Sequence, residues 1–119
     1  MARLDHLGLT VADLAATREW YTSVLGLEVE FEADSAAGLK DEGDFTLILI
    51  EDGQPLSRCN LYFQVQDVEA AHKEMSARGI SFIHPPQSNG WGYGAGLVDP
   101  DGRFVGLWDE LSMQAHEIT

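Results

Sequence analysis

Apolar positions along this chain change their period in a regular order. Leu7, Leu9 and Val11 alternate with His6, Gly8 and Thr10, the two-residue period of a strand with one buried face. From Leu14 the period lengthens. Leu14, Thr17, Trp20, Tyr21, Val24 and Leu25 recur at three- and four-residue spacing and predict an amphipathic helix. Asp13 stands at its N-cap, where a carboxylate accepts from open amides, and Gly26 stands where a left-handed C-terminal residue is wanted. Leu27, Val29 and Phe31 then alternate with Glu28, Glu30 and Glu32, a second strand. The unit is strand–helix–strand.

The unit occurs twice. A shift of 54 residues carries His6 onto Asn60, Leu7 onto Leu61, Leu9 onto Phe63, Val11 onto Val65 and Asp13 onto Asp67. Val68, Ala71 and Met75 repeat the helical stripe, Gly79 takes the place of Gly26, and Ile80 to Ile83 open the next strand. A period this long is no solenoid repeat, so it marks two copies of one supersecondary module.

The remaining segments complete each copy. Asp34 to Gly38 is small and polar and predicts a turn, with a short strand over Leu39 to Asp41. Phe45 to Ile50 is the strongest apolar run, too short for a globular helix, and predicts a central strand. In the second copy a strand over Ile80 to His84 leads into an extended loop from Pro85, stiffened by Pro86. Trp91 to Gly96 interleaves glycine with aromatics and predicts a strand or bulged strand that another group approaches closely. Asp99-Pro100-Asp101-Gly102 is a turn before a last strand from Arg103 to Trp108, and Glu110 to Thr119 form a tail without a predicted element.

The expected organisation is one domain over residues 1–119, with module one about 1–53, a linker at 54–58, module two about 59–112 and a tail at 113–119. Modules of this size are marginal alone and are expected to pack together. Composition narrows the function. Twenty acidic against seven basic residues give a formal net charge of −13, which argues against nucleic acid and anionic membrane surfaces and suits a cationic ligand or plain solubility. No apolar run reaches the ~20 residues of a membrane span, the N-terminus has no signal-peptide pattern, and Cys59 has no cysteine partner. The expected location is the cytoplasm.

With this order of elements, the chain resembles the vicinal oxygen chelate superfamily of glyoxalases, bleomycin-resistance proteins and extradiol dioxygenases. The resemblance rests on His6-Leu7-Gly8-Leu9-Thr10-Val11 with Asp13, Trp20-Tyr21 with Leu25-Gly26-Leu27, Val65-Gln66-Asp67-Val68, and Asp99-Pro100-Asp101-Gly102. It implies an α+β fold of two tandem βαβββ modules, their strands forming a cupped mixed sheet around a cavity with the helices outside. If Leu7, Leu9 and Val11 pack under the first helix, His6, Gly8 and Thr10 face the cavity. By the same alternation Leu61, Phe63 and Val65 go to the second helix, and Asn60, Tyr62 and Gln64 face the cavity.

Metal-dependent relatives place ligands at four equivalent positions, which the resemblance carries onto His6, Ile48, Asn60 and Gly106. Isoleucine and glycine offer no side-chain donor, and an asparagine amide is a poor substitute for imidazole. Glu51 lies three residues past Ile48, so alternation turns it to the opposite face unless a bulge intervenes, and Asp109 stands in the same relation to Gly106. His72 is expected to be exposed on the second helix, and His84 and His116 fall at a strand end and in the tail. No metal or other cofactor is therefore expected, with a divalent metal at His6 and Glu51 as the alternative.

The other cavity candidates are aromatic: Tyr62, Trp91, Tyr93 and Trp108. Tryptophan suits stacking on planar or cationic ligands, although Trp20 and Trp108 also read as core. The expected function resembles the bleomycin-resistance type, a protein that sequesters a small aromatic or cationic molecule without a metal. The alternatives are a lyase, isomerase or dioxygenase using an atypical metal or His6 as general base, and a vestigial site in a protein that acts through partners. The resemblance also implies a homodimer, and the sheet edges left by each module give a physical motive for it.

Overall fold

A computed structural model of the protein describes residues 3–53, 59–88 and 92–116. The chain divides into two compact units, the second beginning at Cys59. In the first, β1 (His6–Val11), α1 (Leu14–Leu25), β2 (Glu28–Ala33), β3 (Ala36–Lys40) and β4 (Thr46–Glu51) follow one another. The second contains β5 (Leu61–Gln64), α2 (Val68–Ala77), β6 (His84–Ser88), β7 (Tyr93–Val98), β8 (Phe104–Trp108) and a short α3 (Glu110–Ala115). Each unit has a four-stranded mixed sheet, ordered β1-β4-β3-β2 in the first and β5-β8-β7-β6 in the second. The first and last strands of each module pair in parallel, and the other pairs are antiparallel. Both modules are βαβββ.

Alternation places the faces as the sequence implies. Leu9, Val11, Leu39, Leu47 and Leu49 are buried with Leu14, Thr17 and Tyr21 of α1, while His6 and Gly8 on the other face of β1 are exposed. In the second unit Val68, Met75, Leu97, Val105 and Leu107 are buried, and Asn60, Tyr62 and Gln64 are exposed. Trp20 is only half-buried, its ring meeting Tyr21 edge-on at 4.9 Å. His72 is half-buried as well, edge-on to Phe82 at 4.6 Å.

Both helices start on two carboxylates. Asp13 accepts from the Ala16 amide at 3.0 Å and Asp67 from the Ala70 amide at 3.1 Å, the matched N-caps of the repeat. A second acid reaches each helix from the end of the last strand. Glu51 accepts from the Leu14 amide at 3.0 Å, and Asp109 from the Val68 amide at 2.5 Å. Asp109 also accepts from the Ser112 amide at 2.6 Å and so caps α3. Gly26 and Gly79 follow the two helices with φ of 75° and 86°, left-handed values that glycine takes without strain.

Three elements differ from the expectation. The predicted turn at Asp34–Gly38 is confined to Asp34 and Ser35, and β3 begins at Ala36. The residues are small there because the Phe31 ring lies against Gly38, a packing reason and not a turn reason. The strand predicted over Ile80–His84 instead runs His84–Ser88, through both prolines. It is an edge strand whose register slips between His84 and Gln87, so the missing proline N–H groups cost the ladder nothing. The tail holds α3, nucleated by Asp109. The Asp99–Gly102 turn forms as expected, with Asp99 accepting from the Asp101 and Arg103 amides, each at 2.9 Å. Arg103 precedes β8, and its buried guanidinium lies 3.2 Å from Asp99 and 3.3 Å from Asp101. Among the described residues no helix is long and apolar enough to cross a membrane.

Replacing Asp13 or Asp67 with alanine is expected to cost about 0.5–2 kcal/mol each, read from thermal or urea unfolding. Asp109 adds a pH dependence. Burial alone would raise its carboxyl, but the Ser112 and Val68 amides, with further bonds from Ser112 and Leu111, outweigh burial and hold it below the usual range. Its contribution is therefore complete above the unfolded-state value of about 4 and is lost as pH falls through the lowered folded value. Asp109→Asn should lose stability at neutral pH and show less further loss on acidification than the parent protein; equal acid sensitivity would refute the assignment.

Candidate functional site

The open face of the second sheet is built from one row of cross-strand neighbours. Tyr62 pairs with Gly106, Gly106 with Gly96, and Gly96 with His84, so two rings at the outer strands flank two glycines in the middle. The rings lean inward onto the glycine backbone. A Cβ at Gly106 would fall 2.6 Å from the Tyr62 ring, and one at Gly96 would fall 2.7 Å from His84 Nε2 and 2.8 Å from Phe104. Neither position tolerates a side chain without moving an aromatic ring. Phe104 bridges the row, 5.9 Å from Tyr62 and 6.1 Å from His84 between ring centroids.

Beside this layer is a cavity of about 220 Å³, lined mainly by apolar groups and including Tyr62, His84, Tyr93, Phe104, Trp108 and Met113. Met113 reaches it from α3, its sulfur accepting from the Tyr93 amide at 3.3 Å. The Tyr93 ring stacks on His116 at 3.7 Å and 7°, and its hydroxyl donates to Glu69 of α2. That bond to the carboxylate, with burial and the negative charges of Glu69 and Asp109, pushes the phenol up to about 12. Tyr93 thus contributes a ring and a backbone to the cavity, while its hydroxyl is tied to the helix.

The first module shows why the cavity is here. Its equivalent row is Gly8, Ile48, Gly38 and Phe31, with Phe31 lying over Gly38 as His84 lies over Gly96. Ile48 fills the position that Gly106 leaves without a side chain.

Of the residues singled out from the sequence, Tyr62, Tyr93, Gly106 and Trp108 come together around the cavity. His6 and Ile48 belong to the first module and do not line it. His6 is exposed, with Nδ1 3.2 Å from an Asp5 oxygen. Asn60 is exposed ahead of β5 and lines no part of the cavity, and Trp91 lies outside the described residues. Glu51 is turned to the helix face and holds the Leu14 amide. Among the described residues no three His, Cys, Asp or Glu side chains are grouped to hold a metal ion. The residues at the four ligand positions do not fit a divalent metal, because only His6 supplies a strong donor. Sequence reasoning missed His84, Phe104 and Met113. The signal for His84 was the double proline, which marks an edge strand starting at His84 rather than one ending there.

The profile of the glyoxalase/bleomycin resistance protein/dioxygenase superfamily matches residues 3–106. The chain belongs to that superfamily. Among solved structures of like fold is an antibiotic binding protein from a Streptomyces species, 21% identical, with a TM-score of 0.77 over 92% of this chain and 96% of that one. A glyoxalase/bleomycin resistance protein/dioxygenase from Nocardioides is 22% identical, with a TM-score of 0.75 over 92% and 83%. A possible glyoxalase from Bacillus cereus is 23% identical, with a TM-score of 0.73 over 90% and 98%. No protein with a curated description matches the chain in sequence. At these identities the structural matches establish the fold, and the superfamily hosts more than one chemistry on it.

The Tyr93–Glu69 bond is testable by ultraviolet titration. One tyrosine should ionise near pH 12, and Glu69→Gln should bring it down toward the ordinary value of about 10. Stability tied to the protonated phenol is present below about pH 10 and is lost as pH rises toward the folded value. An unchanged titration in Glu69→Gln would refute the bond.

Proposed function

We propose that this protein binds a small aromatic molecule in the cavity of its second module and holds it without a metal. The observation that carries the reading is the apolar cavity opened by Gly106 and walled by Tyr62, Phe104 and Trp108. Its volume suits the ligand class. An engineered apolar cavity of about 150 Å³ takes benzene, so about 220 Å³ takes one to two fused rings. Flat rings stack on tyrosine, phenylalanine and tryptophan, and a net charge of −13 favours neutral or cationic ligands over anionic ones. The similar structure of an antibiotic binding protein supports a sequestering role by analogy of fold.

The enzymatic alternative draws less support. His6 is exposed beside Asp5, and the other three ligand positions, Ile48, Asn60 and Gly106, supply no strong donor. Homodimerisation belongs to the same proposal. Phe31 and Ile50 are 42% exposed each in the single chain and leave an apolar surface for a second copy to cover.

Two-ring aromatic probes should quench tryptophan fluorescence through Trp108 with saturable, one-to-one binding. Gly106→Ile, which copies the first module at that position, should weaken the best probe at least tenfold while the far-ultraviolet circular dichroism is retained. Unchanged affinity in a folded Gly106→Ile variant would place the ligand elsewhere.

A further inference from the structure

We infer that His84 determines the specificity of this cavity, selecting planar aromatic molecules that carry a hydrogen-bond donor, such as phenols and aromatic N–H compounds. The inference rests on the cavity being the binding site and adds the polar half of the recognition. The two modules supply the first argument. In the first module the ring lying over the strand-centre glycine is Phe31, and at the equivalent place in the second it is His84 over Gly96. Both rings cover the backbone and fill similar space. Only the imidazole adds ring nitrogens.

The second argument fixes what those nitrogens do. His84 Nδ1 lies 2.8 Å from the Pro85 carbonyl oxygen. A carbonyl accepts and never donates, so Nδ1 carries the proton and the neutral ring presents a bare lone pair at Nε2. That nitrogen is the edge of the ring next to Gly96, and among the described residues nothing hydrogen-bonds to it. Phe104 lies toward the same glycine, its ring centroid 6.1 Å from the imidazole and inclined to it by 26°. Backbone and stacking partner together keep the acceptor in place.

The third argument is the kind of polar group in the wall. The Tyr93 hydroxyl is committed to Glu69, the Trp108 indole only donates, the Tyr62 hydroxyl both donates and accepts, and Phe104, Leu107 and Met113 offer no strong donor or acceptor, so His84 Nε2 is the lining group that accepts without donating. An aromatic ligand without a donor would strip water from Nε2 and return nothing, whereas a phenol would replace that water bond. Such a site discriminates mainly by penalising the ligand that leaves its polar group unpaired. For a half-buried acceptor the expected discrimination is about three- to tenfold, the range of one net hydrogen bond.

The test uses the full chain, 2-naphthol and 2-methylnaphthalene, two probes of nearly equal shape, by equilibrium dialysis. The ratio of their affinities should fall about three- to tenfold in His84→Phe relative to the parent. His84→Phe keeps a ring over Gly96, as Phe31 does over Gly38, so the cavity wall is preserved. Nitrogen NMR of the parent protein gives a second readout that needs no variant: the His84 Nε2 resonance should move on adding 2-naphthol and stay in place with 2-methylnaphthalene. An affinity ratio unchanged by the substitution, or an Nε2 signal indifferent to 2-naphthol while both probes bind, overturns this inference and leaves the cavity reading standing. Failure of both probes to bind the parent overturns the cavity reading as well.

Discussion

Each module is closed by one contact, a carboxylate at the end of the last strand taking the first amide of the helix. Glu51 holds Leu14 in the first module and Asp109 holds Val68 in the second. Helix starts leave amides unpaired and carry positive partial charge, so an acid there both satisfies a donor and favours the dipole. The geometry works because the first and last strands are parallel neighbours. The chain leaves β1 to enter α1, and the end of β4 lies next to that exit. Local capping by Asp13 and Asp67 begins each helix, and the second acid ties it to a strand far away in sequence.

The same contact fixes where the two acids point. Glu51 lies three residues past Ile48 and Asp109 three past Gly106, so alternation turns both away from the open faces. Both are committed to amides on the helix face. The centres of the open faces hold uncharged groups: Ile48 and Phe31 in one module, and Tyr62, Phe104 and His84 around Gly106 and Gly96 in the other. Duplication supplied two similar frames, and replacing one branched side chain by glycine separates the filled row from the open one.

Much of this was legible in the sequence. Strict alternation in β1 and β5, the helical stripes and the pair of capping aspartates specify both modules and which side of each strand is buried. Tyr62, Gly106 and Trp108 line the cavity; alternation turns Tyr62 to that face, and Gly106 and Trp108 lie two residues apart on β8. What failed did so where local composition has two meanings. Ala36, Ala37 and Gly38 look like a turn but are small to admit a neighbouring ring. Pro85 and Pro86 look like a loop but are tolerated on an edge strand with slipped register. That displacement put His84 at the end of the expected strand, whereas it is the first residue of β6 and pairs with Gly96. Contacts such as Met113 against Tyr93 depend on α3, whose period is too short to announce itself.

Asp109 serves two helices with one side chain, and the second of them carries a cavity wall. Its two oxygens divide between the Val68 amide of α2 and the Ser112 amide of α3, while Met113, the next residue, lines the cavity. A molecule pressing on Met113 therefore acts on a shared anchor. If α3 is seated more firmly, the carboxylate is better oriented toward Val68, and if α3 is lifted, α2 loses part of its first-turn support. A molecule held in the cavity as proposed would thereby be registered at a backbone amide on a different helix, and the exchange rate of the Val68 amide proton would gauge occupancy with no signal from the ligand itself.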